Sequence, residues 1–125
     1  MLTIMLKEIL CVGAGSFIGG ALRYAVAVAM RTAGKGFPWA TLTVNIAGCL
    51  AIGLLWGALS RYSNSQYVNL FLTVGICGGF TTFSTLSKES FAMLQAGNWL
   101  WFALYVVGSV ALGLLMVAAG YHFSK

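Results

Sequence analysis

Charge is scarce in this 125-residue sequence, and that scarcity excludes whole classes of protein. Only 7% of the residues are charged, two of them acidic, whereas 60% are hydrophobic and the mean hydropathy is +0.92. These values lie outside the range of soluble globular domains. The basic residues are spread over loops and helix ends and form no patch, so the formal net charge of +5 does not indicate nucleic-acid binding.

Long polar segments and metal-ligand spacings are also missing. The breaks between apolar stretches are short, so a catalytic domain has no room, and we expect a protein that is not an enzyme. Cys11, Cys49 and Cys77 each lie within apolar sequence, which indicates free thiols acting as small hydrophobic residues. The first apolar run is too long and glycine-rich for a signal peptide and no cleavage site closes it, so we expect it to remain as a span.

What the sequence does contain is four apolar stretches of membrane-spanning length. Roughly 20 apolar residues cross a hydrocarbon core of about 30 Å. We therefore predict an all-α integral membrane protein with one domain, residues 1–125, and four transmembrane helices. The helices are expected at about Ile9 to Met30, Trp39 to Leu59, Tyr67 to Ala96 and Trp99 to Tyr121.

Small residues and basic residues indicate how these helices assemble. Four thin helices enclose little volume, so we expect a transport path between protomers. The basic residues divide almost evenly, with Lys7, Arg61 and Lys125 on one side of the membrane and Arg31 and Lys35 on the other. A chain with so little bias can insert both ways, which predicts an antiparallel homodimer in membrane lipid.

Small residues at helical spacing predict close packing: Gly15 with Gly19, Ala21 with Ala25 and Ala29, Gly53 with Gly57, and Ser109 with Gly113.

The third stretch contains a glycine pair followed by hydroxyl residues where an uninterrupted membrane helix is expected. From Tyr67 to Cys77 is only about 16 Å of helix, half a bilayer, so we predict a break over Gly78 to Thr82 near the midplane. A half-helix should begin near Phe83. Irregular backbone at this depth is tolerated only in a protein interior or along a polar path. Freed carbonyls there can bind a cation, and the half-helix N-terminus can bind an anion.

Several side chains within the spans are candidates for either function or packing. Arg23 shares the face of the first-span glycines, and is either an intramembrane functional residue or an arginine that snorkels to the interface. Asn45, one turn after Thr41, either makes an interhelical hydrogen bond or donates to an anion. Phe83 either packs or turns its positive ring edge to an anion. Tyr105 and Ser109 share a helix face and can extend a polar track. Lys88 and Glu89 are expected at a solvated helix end. His122 is expected at the membrane interface.

Three motifs, in this order, resemble the Fluc fluoride channels of the CrcB family. They are Gly15-x₃-Gly19-x₃-Arg23-Tyr24, Thr41-Leu42-x-x-Asn45-x-x-Gly48 and Gly78-Gly79-Phe80-Thr81-Thr82-Phe83-Ser84-Thr85. The resemblance implies a protein of the bacterial plasma (inner) membrane that passively exports fluoride ion from the cytoplasm. It also implies an antiparallel dual-topology dimer with two pores and a structural central sodium ion.

By motif position, the resemblance also implies roles for individual residues. The carbonyls of Gly78 and Thr81 from both protomers would hold the sodium ion. Leu86 stands where the family commonly has a second phenylalanine, which leaves Phe83 and the hydroxyl track to conduct the ion. The residues implied to line the fluoride pathway are Asn45, Phe83, Ser84, Thr85, Tyr105 and Ser109, with Thr41 near it and Arg23 at the vestibule.

The alternative is a small dual-topology exporter of multidrug or guanidinium type. Such a protein needs a buried carboxylate in its first helix to bind a cation or proton. Here Glu8 is expected to precede the first span, and that span contains Arg23 instead. The sequence therefore favours the fluoride channel.

Overall fold

The computed structural model describes residues 1–31, 37–62 and 65–125. All regular secondary structure in these three ranges is helical, as predicted. The elements are α1 (Leu2–Ala29), α2 (Trp39–Tyr62), α3 (Gln66–Asn69), a π-helical segment (Leu70–Cys77), α4 (Gly78–Phe80), α5 (Phe83–Gln95) and α6 (Trp99–Ser124).

These elements form four membrane spans within the described residues, which confirms the predicted number. The spans are Leu2–Ala29, Trp39–Tyr62, Gln66–Gln95 and Trp99–Ser124. The predicted start of the first span was wrong by about two turns, because α1 continues back to Leu2 and includes Glu8. At 28 residues α1 is longer than the hydrocarbon core is thick, so it extends beyond that core or crosses it at a tilt.

Two polar contacts bring the beginning of α1, the second connection and the end of α6 to one end of the bundle. Arg61 Nη1 donates to the Lys125 carbonyl at 2.9 Å, and Gln66 Nε2 donates to Glu8 Oε1 at 3.4 Å. This is the grouping predicted for Lys7, Arg61 and Lys125. The prediction for Lys35 lies outside the described residues.

Glycines allow two pairs of spans to pack with their backbones almost in contact. A Cβ added at Gly19 of α1 would lie 2.8 Å from the Phe80 nitrogen, and one at Gly120 of α6 would lie 2.6 Å from the Leu50 carbonyl oxygen. The predicted close packing of Gly15 with Gly19 and of Gly53 with Gly57 is therefore confirmed.

The alanine stripe of α1, by contrast, does not pack within the protomer. Ala21, Ala25 and Ala29 are all exposed, so the close helix contact expected of them is wrong for a single chain. The physical reason is the break in the third span. Beyond the break α5 packs on α6, so the end of α1 is left uncovered.

Few apolar side chains are buried in the protomer. The buried apolar residues of the described ranges are Val44, Cys77, Met93 and Tyr105. A core this small in the described ranges leaves little interior for a path, and the expected path between protomers stays a prediction.

Candidate functional site

The break in the third span is confirmed, but it is confined to Thr81 and Thr82. Their φ and ψ angles are −86° and 160°, and −148° and 124°, respectively. Gly78 remains helical, with φ −63° and ψ −40°, so the predicted start of the break was too early. The second glycine of the pair serves packing instead, because a Cβ at Gly79 would lie 2.7 Å from the Ser16 carbonyl oxygen. The half-helix begins at Phe83, as predicted.

Asn45 holds the extended backbone of the break in place. Its Nδ2 donates to the Thr82 carbonyl at 3.1 Å, and the Thr82 N–H donates to its Oδ1 at 2.8 Å. The carboxamide thus bonds both the carbonyl and the N–H of Thr82, as the backbone of a neighbouring segment would. This is the interhelical hydrogen bond considered for Asn45, and it leaves one of the two N–H donors of the carboxamide for another partner.

Thr82 also caps the half-helix and gathers three hydroxyl groups. Its Oγ1 accepts from the Thr85 N–H at 3.2 Å, which satisfies one of the free amides at the start of α5. The same oxygen lies 3.2 Å from Thr85 Oγ1, to which it donates, and 3.4 Å from Ser84 Oγ. The two predicted hydroxyl residues that follow Phe83 are therefore organised by this cap.

The two carbonyls predicted to hold a cation have lost their usual helical donors. In an unbroken α-helix the Thr82 N–H would donate to the Gly78 carbonyl and the Thr85 N–H to the Thr81 carbonyl. Both N–H groups donate to side-chain oxygens instead. Carbonyl oxygens are suitable ligands for a hard cation. No group of three or more His, Cys, Asp or Glu side chains competes for this role in the described part of the chain.

A groove of about 530 Å³ runs along the face of the third span that is turned away from α1. Phe83 is 79% exposed beside it. The Ser109 hydroxyl is buried and has no hydrogen-bond partner among the described residues. Since a buried hydroxyl without a partner is costly, this group is a candidate to meet a ligand. The groove brings together five of the predicted site residues: Asn45, Gly78, Thr81, Phe83 and Ser109.

Tyr105 and Thr41 lie in a second polar cluster, centred on Glu89. The Tyr105 side chain is 1% exposed, and its hydroxyl donates to Glu89 Oε1 at 2.9 Å. Thr41 is buried near the same phenol. The solvated helix end expected for Glu89 is wrong, because its carboxylate is the acceptor that this buried phenol requires. Lys88, one residue earlier, is exposed as expected.

Sequence reasoning did not include Glu89 among the candidate site residues. Its signals were an acidic side chain close to apolar sequence and a match to an acidic position that often follows the third motif in the resembled family. Neither spacing nor pattern connects it with Tyr105. The carboxylate lines a second cavity of about 350 Å³ together with Phe37, Met93 and Asn98.

Arg23 lies on the opposite side of the third span from the groove. Its Nε donates to the Gly79 carbonyl at 3.1 Å, and the side chain is partly buried. The face that Arg23 was predicted to share with the first-span glycines is therefore the face of α1 that packs on the third span. This hydrogen bond links α1 to Gly79, two residues before the break.

Comparison with known proteins gives a consistent family assignment. Residues 10–121 match the family described as "CrcB-like protein, Camphor Resistance (CrcB)". A relative from Phocaeicola vulgatus, named "Fluoride-specific ion channel FluC", is 41% identical over 96% of this chain and 100% of its own length. Relatives of the same name from Chlorobaculum tepidum and Paramagnetospirillum magneticum are 44% and 49% identical, over 97% and 88% of this chain and 97% and 89% of their own lengths.

Proposed function

We propose, because this chain belongs to the CrcB family, that it is a passive channel selective for fluoride. The four spans and the bacterial relatives make it a multi-pass protein of the bacterial inner membrane, and it is not an enzyme. The observation that carries the proposal is the buried Ser109 hydroxyl without a partner, in the same groove as the Asn45 carboxamide.

The donors in this groove suit a small, strongly hydrated anion. Fluoride enters a narrow path only if compact donors replace its water, and larger halides fit such a site poorly. The free N–H of Asn45, the Ser109 hydroxyl and the positive ring edge of Phe83 are donors of this kind. Ser84 and Thr85 extend the series at the start of α5, where the helix N-terminus adds partial positive charge.

The groove is open along one protomer, and we assign its second wall to an antiparallel copy of the chain. Apolar side chains along the groove are exposed, among them Ile52, Val74, Phe83 and Val110. Two copies related by a twofold axis would form two equivalent paths. The nearly even division of basic residues supports insertion in both orientations.

A central sodium ion completes the proposed dimer. The fit rests on the carbonyls of Gly78 and Thr81, whose usual donors are engaged by side chains. Two copies would supply four such oxygens, a donor set that hard monovalent cations accept. When bound, the ion would supply fixed positive charge, which attracts anions and offsets part of the dehydration cost. Flux runs down the fluoride gradient, out of a cytoplasm that contains more fluoride.

Ion efflux from liposomes that contain only the purified protein tests the proposed selectivity. We expect rapid fluoride efflux and little chloride efflux. Equal efflux of the two ions would contradict the proposal, whereas proton-coupled uptake of an organic cation would favour the exporter.

Cysteine labelling tests the proposed dual topology. In a background without the three native cysteines, Gln66→Cys and Asn98→Cys place single thiols at exposed positions before and after the third span. Each should be labelled in part from both sides of the membrane in intact cells. Strictly one-sided labelling of both positions would show a single orientation.

A further inference from the structure

The second cavity contains a carboxylate that has no counter-charge among the described residues. Glu89 lies in the last two turns of the third span, which ends at Gln95. In the described part of the chain its one polar contact is the hydrogen bond that Tyr105 donates to Oε1, and a phenol is neutral. The second carboxylate oxygen has no partner there. Because a carboxylate within a membrane span is costly unless it is paired, Glu89 is a candidate to bind a cation.

A second acceptor lies at the same cavity. Asn98 lines it together with Glu89, and the Asn98 side chain makes no capping hydrogen bond to α6, so its amide oxygen can accept from a ligand. None of the described residues that line the cavity is basic. The C-terminus of α5 and the N-terminus of α6 meet here with opposite partial charges, so the carboxylate sets the sign of the potential.

We propose that this cavity binds a primary ammonium group, carried by a small amine or by the headgroup of an aminophospholipid. Such an ammonium has three N–H donors, one for the second Glu89 oxygen and one for the Asn98 amide oxygen. The volume of about 350 Å³ is at the lower end of the range for small-molecule sites. The remaining lining residues are apolar and can contact the carbon atoms of the amine: Phe37, Pro38, Ala92, Met93 and Ala96.

An inorganic cation fits this cavity less well. Calcium and magnesium require six or more oxygen ligands, and the described residues contain no group of three or more His, Cys, Asp or Glu side chains. A sodium ion would have to exchange part of its water for the apolar residues that form most of the lining. An alkylammonium ion instead presents a charged end to the acceptors and an apolar end to the rest.

The position of the cavity gives such a ligand access from water and from lipid. The Phe37 ring that lines it lies 5.8 Å from the ring of Trp101, and Trp99 and Trp101 are both exposed at the start of α6. Exposed tryptophans at the end of a membrane span are typical of the level of the lipid headgroups. A free amine and a lipid headgroup can therefore both reach Glu89.

Saturation-transfer difference NMR on the purified full-length protein in detergent micelles tests the site. The probe is ethylammonium chloride, with tetramethylammonium chloride as a cation of the same charge that has no N–H donor. We expect ethylammonium to bind at least about tenfold more tightly, because hydrogen bonds between charged groups are the strong ones. Equal affinity for the two cations, or no saturation transfer to ethylammonium beyond that of empty micelles, would overturn the proposal.

Variants of the two acceptors locate the bound cation. Glu89→Gln keeps an oxygen that accepts from Tyr105 but removes the charge, and should lower the affinity for ethylammonium by at least about tenfold. Asn98→Ala leaves the Tyr105 contact untouched and should lower the affinity about two- to tenfold. Glu8→Gln, which changes the other acidic residue at the opposite end of the bundle, is the matched control and should bind as the unsubstituted protein does. Gel filtration shows that each variant is folded. Unchanged affinity in Glu89→Gln would overturn the proposal.

A lipid experiment distinguishes the two sources of the ammonium group. The protein is equilibrated in micelles that contain equal amounts of phosphatidylethanolamine and phosphatidylcholine with the same acyl chains, and the lipid that remains bound after a desalting column is quantified. Enrichment of phosphatidylethanolamine that is lost in Glu89→Gln identifies the headgroup as the ligand. Equal retention of the two lipids, together with ethylammonium binding, identifies a free amine, and either result upholds the site.

The site does not depend on the proposed function, and the measurements separate the two. Ethylammonium binding by a protein without fluoride efflux would uphold the site and reject the channel. Selective fluoride efflux in a protein that does not bind ethylammonium would uphold the channel and overturn the site.

Discussion

The two faces of the third span differ in almost every physical respect. Towards α1 the backbones approach so closely at Gly19 and Gly79 that no side chain fits between them. Towards α2 and α6 the span borders an open groove in which the Ser109 hydroxyl has no partner among the described residues. The difference teaches that the closed face holds the broken helix against α1, whereas the open face carries a buried hydroxyl that no described residue satisfies.

A methyl group on the closed face should have the largest effect. In Gly19→Ala the new Cβ would collide with the backbone of Ile76 and Phe80, and backbone cannot move away as a flexible side chain can. We expect the free energy of unfolding to fall by about 1–3 kcal/mol or more. The measurement is a lower midpoint of thermal unfolding. Gly13→Ala, on the same helix with nothing within 4 Å of its Cβ, is the control and should leave the midpoint unchanged. Equal stability of the two variants would show that the α1 contact is not tight.

Asn45→Asp should abolish fluoride flux and lower stability moderately. The carboxylate still accepts from the Thr82 N–H but cannot donate to the Thr82 carbonyl, at a cost of about 1–3 kcal/mol. If ionised, it also places negative charge in an anion path. Asn69→Asp is the matched control, because the Asn69 side-chain oxygen only accepts, from Thr73 Oγ1 at 3.0 Å. Efflux from liposomes decides the result, and full flux in Asn45→Asp would leave the residue a purely structural role.

Ser109→Ala should separate function from stability. The buried hydroxyl has no partner, so removing it leaves the unfolding midpoint equal or higher, whereas fluoride flux falls because a donor of the path is lost. Ser90→Ala is the control: the Ser90 hydroxyl is also buried but donates to the Leu86 carbonyl at 2.7 Å. That change should lower stability by about 0.5–1.5 kcal/mol and leave flux nearly intact. The reverse pattern in the two variants would place the path elsewhere.

Leu86→Phe should have the smallest effect, and it sharpens the description of the open face. Leu86 lines the groove beside Phe83, so a second ring there adds a positive edge to the path. We expect little gain in flux, because Ser84, Thr85 and Ser109 already offer hydroxyl donors that rotate to follow an ion. Leu104→Phe, at an exposed position on α6, is the control. A large gain in fluoride flux confined to Leu86→Phe, at equal protein density, would show that rapid conduction requires a second aromatic ring along the path.

The sequence alone predicted the fold and the break with few errors. Runs of apolar residues set the four spans, because the bilayer requires a minimum length of apolar helix. The glycine pair and the hydroxyl residues after it marked the break, although only Thr81 and Thr82 leave helical geometry. The error was to treat Gly79 as irregular backbone when its function is close packing against Ser16.

The site was predicted less completely, because hydrogen bonds between distant residues have no local signal. Tyr105 was grouped with Ser109 from their shared helix face, yet its hydroxyl donates to Glu89, which sequence reasoning placed at a solvated helix end. Among the described residues, the buried hydroxyl without a partner is that of Ser109, one turn further along α6.

The sequence by itself determined that this protein lies in a membrane, that its third helix is interrupted and which residue types surround the interruption. These properties follow from composition and from order along the chain, which act locally. The tertiary structure alone decided which donors remain free. Asn45 pairs with Thr82 across 37 positions of sequence and Arg23 with Gly79 across 56, so only folding establishes which polar groups are satisfied and which face the groove without a partner.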